Sequence, residues 1–224
     1  MKIAGIATRV AVALACSLLA GLSSVHADEV AHSGFLPDYT KLEKQKDAKG
    51  SELLRWQSPS LTKASYQKIL LEPVTFYPAP QASDQVSDQV LKDIQAYLDS
   101  SLRTVGLADV PQVTEAGPGV LRIKVAITAV ETSNSGLKPW QLIPVALVVQ
   151  GAKAASGHRA RDVDLDVEAL VSDSVSGEVL AMSVRKGKGQ ELKNSDAQLT
   201  LDDAKPRIDQ WAQNVAELVQ KILK

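Results

Sequence analysis

RDVDLDVEALVSDSVSGEVLAMSVRK, residues 161–186, alternates apolar and polar side chains on either side of a cluster of turn-forming residues. Val163, Leu165, Val167, Ala169 and Val171 recur at every second position, the period of a strand with one buried face. Asp173-Ser174-Val175-Ser176-Gly177 then favours a turn, and Glu178 to Lys186 resumes a strand pattern. The segment predicts a β-hairpin. A short turn can join only antiparallel strands, so this part of the sheet is antiparallel.

Upstream of the hairpin, Ala116-Gly117-Pro118-Gly119 makes a turn into Val120–Thr132, where Leu121, Ile123, Val125, Ile127 and Ala129 face one way and Arg122, Lys124 and Thr128 the other. Before it, Val86, Val90, Leu91, Ile94, Leu98, Leu102 and Val105 recur at helical spacing, with Ser83 as the candidate N-cap and Gly106 as the stop. SELLRWQ (residues 51–57) and the run from Tyr66 to Tyr77 read as two strands, the second stopped by Pro78 and Pro80. Downstream, GKGQELKNSDAQ (residues 187–198) reads as a polar loop. Ile208, Trp211, Ala212, Val215, Leu218, Val219 and Ile222 then share one helical face. A proline costs about 3 kcal/mol inside a helix, so Pro206 places the regular start of this helix near itself. The order predicts an α+β fold: a mostly antiparallel sheet with two amphipathic helices packed on one face.

The N-terminus carries Lys2 and Arg9, then an apolar stretch from Val10 to Leu22, then Ser23-Ser24-Val25-His26-Ala27 with small residues where a signal peptidase cuts. Residues 1–27 are therefore expected to be a signal peptide, 28–50 a polar lead lying over or tethering the domain, and 51–224 a single α+β domain. The competing expectation is a lipoprotein signal in which Ala13-Leu14-Ala15 precedes a lipidated Cys16. The first implies a periplasmic or envelope-associated protein, the second an outer-membrane lipoprotein.

Two of the 25 basic residues lie in the leader, so 23 basic residues face 26 acidic ones after cleavage at Ala27. No positive field is left that would hold nucleic acid. Cys16 is the one cysteine, so the cleaved chain has no disulfide and its stability rests on the apolar core. No later stretch has the roughly 18 unbroken apolar residues of a membrane-spanning helix.

The sequence lacks G-x-S-x-G, G-x-x-x-x-G-K-[ST] and H-E-x-x-H, and no catalytic residue, cofactor or metal is expected. An enzyme with an unrecognised site is the open alternative. Asp162, Asp164, Asp166 and Glu168 share one strand face, but side chains two apart on a strand are spread by about 6 to 7 Å, whereas calcium ligands converge from a bent loop. With Arg122, Lys124, Arg185 and Lys186 on neighbouring strands, this row reads as a solvated, cross-paired sheet face.

LIPVALVVQGAKAAS (residues 142–156) breaks the alternation. Val145, Val148 and Val149 would form a helical stripe that packs on the protein or meets an envelope partner, a second copy or a membrane. The run is too short to span a bilayer. His158, Arg159 and Arg161 follow it and are candidates for contact with an anionic group. The expected role is a non-catalytic module that binds an envelope partner or itself, with a membrane- or assembly-inserting subunit as the alternative.

SGFLPDYTKLE (33–43), YQKILLEPV (66–74), GPGVLRIKVAIT (117–128), residues 142–181 and the pair Trp211-Ala212 resemble the bacterial envelope family catalogued as domain of unknown function 3313. The resemblance spans nearly the whole exported chain. It implies a small exported protein, in many cases a lipoprotein, and brings no catalytic residues with it.

Overall fold

The computed structural model describes residues 32–47, 49–62, 65–80, 86–134, 161–192 and 197–223. Seven strands form one mixed, mostly antiparallel sheet: β1 (Glu43–Lys46), β2 (Glu52–Gln57), β3 (Lys68–Leu71), β4 (Thr75–Phe76), β5 (Val120–Asn134), β6 (Arg161–Asp173) and β7 (Val179–Leu192). Their order across the sheet is β1-β2-β7-β6-β5-β3, and β4 also pairs with β5. Helices α1 (Asp88–Ser101) and α2 (Leu201–Leu223) complete the α+β fold.

The hairpin forms as its alternation predicts, β6 lying between β5 and β7 in antiparallel register. Asp173 accepts from the Val175 and Ser176 N–H groups, and Gly177 adopts the positive φ that the turn requires. Val163, Leu165 and Val167 join Leu91, Ile94, Leu98, Ile208 and Trp211 in the main core between sheet and helices. Burying each large aliphatic side chain contributes about 1.5 to 3 kcal/mol.

Several local expectations are corrected. The run from Tyr66 to Tyr77 is not one strand: β3 and β4 flank Pro73, which has no N–H to give the ladder, and both pair parallel with β5. The first helix starts later than Ser83, which lies outside the described residues. Its N-cap is Ser87, whose hydroxyl accepts from the Val90 N–H. After Ser101 the chain widens into a five-residue π-helical turn, Leu102–Gly106. Gly106 does more than stop the pattern, since a Cβ there would lie 3.2 Å from a Val215 methyl of α2. The polar segment after Lys186 is not a loop at its start, because β7 runs on to Leu192, which is buried in the main core.

Helix α2 begins at Leu201, five residues before Pro206. Thr200 and Asp203 close its start: the Asp203 carboxylate accepts from the Thr200 N–H and hydroxyl, while the Thr200 carbonyl accepts from the Asp203 N–H. That reciprocal cap, together with the burial of Ala204 and Ile208, offsets the backbone bond lost at Pro206, which lies in the second turn. Among the described residues no helix is long and apolar enough to cross a membrane.

Candidate functional site

The second face of the sheet, away from the helices, is covered by the chain's own lead. Residues 32–42 cross it as a strap before entering edge strand β1. Leu36 is buried against Met182 and Val184, with Phe35, Leu42, Leu54, Trp56, Leu170 and Val179 packed around them. At one end Phe35 meets the Tyr77 ring, centroids 5.8 Å apart. At the other, the Lys41 ammonium lies 5.1 Å from the Trp56 ring centre.

Local sequence shapes the strap. Ser33 Oγ accepts from the Phe35 N–H, Asp38 accepts from the Thr40 N–H and hydroxyl, and Gly34 takes a positive φ. Tyr39 is its centre. The phenol oxygen accepts from the Gly34 and Leu36 N–H groups, lies 2.8 Å from Ser33 Oγ, and donates to Glu168 Oε2 at 2.7 Å. His32 stacks on the Tyr39 ring with centroids 4.1 Å apart.

On this face of β6, Asp164, Asp166 and Glu168 keep only 4, 7 and 3 % of their surfaces exposed. This corrects the reading of the acidic row as a solvated face: these three carboxylates are buried, and the Tyr39 phenol of the lead sits on Glu168. Of the expected cross-strand pairs, Lys186 meets Asp166 at 3.5 Å. Arg122 and Lys124 turn instead to Glu72, and Arg185 to Asp47. Asp166 Oδ1 has no hydrogen-bond partner. Burial, opposed by Lys186 and aided by Asp164, pushes the Asp166 carboxyl up to about 6. Burial also raises Glu168, with the Tyr39 hydrogen bond opposing it. Burial next to Glu168 likewise raises the Tyr39 phenol.

A second buried ion pair has a structural role. Asp47, in the β1–β2 turn, accepts from Arg185 at 3.0 Å, from Asn214 of α2 at 2.6 Å, and from the Ser51 and Lys49 N–H groups. Burial opposes its ionisation, but these donors together hold its carboxyl below the usual range. The turn that ends the lead is thereby tied to the helix layer.

Among the described residues no group of three or more histidine, cysteine or acidic side chains is placed to hold a metal ion. A shallow, mainly apolar cavity of about 180 Å³ lies between the π-helical turn and α2, lined by Val105, Gly106, Val110 and Val219, with Asp109 and Gln220 at its polar side. Val145, Val148, Val149, His158 and Arg159 lie outside the described residues. Arg161 is the first residue of β6, opposite Asn134 and Leu192 in the ladder. The sequence marks SGFLPDYTKLE as the apolar patch of a lead expected to lie over or tether the domain, but not which residues of the sheet it meets.

The family described as Protein of unknown function (DUF3313) matches residues 31–215. The chain is 37% identical over 203 residues to the uncharacterized lipoprotein YdcL of Escherichia coli, an alignment covering 90% of this chain and 91% of that protein. Among solved structures, the PelC dodecamer from Paraburkholderia phytofirmans is 11% identical with a TM-score of 0.36, covering 72% of this chain and 96% of that one. Protein XCC0632 from Xanthomonas campestris is 14% identical with a TM-score of 0.39, covering 75% and 89%.

Proposed function

The chain belongs to the DUF3313 family of proteins of unknown function, and from that premise we propose that it is an envelope module acting without catalysis, by binding a partner segment on the strapped face of its sheet. An exported, lipoprotein-like envelope protein fits both the family and the E. coli relative, which is named a lipoprotein. The observation that carries the binding reading is the manner in which the second face already holds a peptide. Residues 32–42 lie on it through an apolar seat, that of Leu36 with Phe35 and Leu42 beside it, and through the hydrogen bond of Tyr39 to the Glu168 carboxylate. An apolar anchor beside an orienting polar contact is how domains commonly hold segments of other chains.

Photo-crosslinking in living cells tests this reading. A crosslinking residue at Val179, at the margin of the strapped face, should capture one recurrent envelope protein; the same residue at Val175, exposed in the hairpin turn, should not. In vitro, the double variant Leu36→Asp/Tyr39→Ala should bind a synthetic peptide of residues 32–42 saturably, and the wild-type chain should not. Equal crosslinking at both positions together with no peptide binding would overturn the proposal.

The lipoprotein name of the relative favours a second reading of the N-terminus, lipidation of Cys16 in place of cleavage after Ala27. Intact mass separates them. A chain starting at Asp28 without added mass supports cleavage; a chain starting at Cys16 with acyl mass supports the anchor.

A further inference from the structure

The strap closes over an unevenly compensated patch of charge. Asp166 and Glu168 stand two apart on β6, and among the described residues Lys186 of β7 is the cation beside them, 3.5 Å from Asp166. From β5, Ala129 and Ala126 lie opposite Asp166 and Glu168 and bring no charge; from β7, Val184 lies opposite Glu168. Asp164 lies opposite Glu131 and Lys188, and Asp162 opposite Ser133 and Glu191. Arg122 and Lys124 on β5 pair with Glu72. From the strap come the Tyr39 phenol on Glu168, His32 stacked behind that ring, and Lys41, which pairs with Asp38.

We propose that residues 32–42 form an acid-tightened latch: a proton taken from solvent by the Asp166–Glu168 pair lets the strap seat on the sheet, and its release loosens the strap and uncovers the seat of Leu36. The physical cause is dehydration of like charges. With the strap closed, two carboxylates lie beside one ammonium, Glu168 is buried under the Tyr39 phenol, and the buried Asp166 Oδ1 has no hydrogen-bond partner. With the strap lifted, water solvates both. The direction of the Asp166 and Glu168 shifts agrees with this, since a closed state that raises a carboxyl binds more protons than an open one. Closure is therefore strongest below the ordinary carboxyl range and weakens as pH rises through about 6. The latch goes beyond the binding proposal and holds whether or not a partner ever replaces the strap.

Backbone hydrogen exchange on the full chain, corrected for intrinsic rates, tests it at pH 5.0 and 7.5. Protection of residues 33–42 should fall by about tenfold or more at the higher pH, since each unit of pKa difference is a factor of ten, while β5 to β7 keep theirs. Asp166→Asn removes the titrating group and should leave the strap protected at both values. Glu168→Gln keeps an acceptor for Tyr39 and should also weaken the dependence, and His32→Gln should retain it. Equal strap protection of the wild-type chain at the two pH values overturns the proposal, as does a dependence that survives Asp166→Asn and disappears with His32→Gln.

Discussion

Gly187 shows how one absent side chain fixes the packing of an α2 residue on the sheet. A Cβ at that position would lie 2.5 Å from Trp211 Cζ2 and 2.9 Å from Arg207 Cδ, closer than atoms approach without displacement. Gly187→Ala therefore forces Trp211 out of its buried seat; overpacking of this kind costs about 1 to 3 kcal/mol, and thermal denaturation should show a melting temperature lower by several degrees. Asp166 carries the second prediction. Its folded-state carboxyl titrates near 6, above its ordinary value of 3.8, so its ionisation destabilises the fold. Stability from this residue is full below about 4 and declines as pH rises through 6, by about 2 to 3 kcal/mol for a shift of this size. Asp47, shifted the other way, contributes stability that is lost as pH falls below the ordinary carboxylate range. The melting temperature should peak near pH 5, and Asp166→Asn should flatten the decline on the alkaline side. An unchanged decline in the variant would place its cause elsewhere.

Among the elements, α2 is where local chemistry overrode a strong local signal. Pro206 argued for a start near itself, but the Thr200–Asp203 cap and the burial of Ala204 and Ile208 carry the helix five residues further back. Thr200→Ala removes one partner of that cap and should cost about 1 kcal/mol, measured by chemical denaturation. A loss near zero would mean that tertiary packing alone sets the start. Helix α1 is tied to the sheet differently. Asp99 accepts from the Val74 N–H and from Arg103, and Gln95 donates to the Val74 carbonyl, so the irregular link between β3 and β4 has its backbone groups satisfied by helix side chains. Strand alternation was legible in the sequence because sheet and core impose a period of two. These cross-element bonds were not, because they join residues more than twenty positions apart.

On the scale of the whole molecule the sheet has two differently covered faces. Two helices cover one, and a strap of eleven residues, 32–42, lies on the other. Leu36 is the strap's principal apolar anchor. Leu36→Asp should release the strap, lower the melting temperature by several degrees through the loss of about 2 to 5 kcal/mol, and raise binding of an apolar dye, while the circular dichroism of the sheet and helices persists. Loss of all secondary structure would mean that the strap is required for the sheet to form at all.

The sequence by itself determined the hairpin, the amphipathic faces of both helices, the α+β class and the family, because each is written in spacings of two to four residues or in contiguous motifs. Only the tertiary structure decided that the acidic row is buried, that β3 and β4 run parallel to β5, and that Tyr39 seats on Glu168, 129 positions away. The physical reason is that a strand's alternation specifies two faces and says nothing about what covers either. That the Tyr39 phenol closes over Glu168 depends on where the folded chain brings a distant strap to rest.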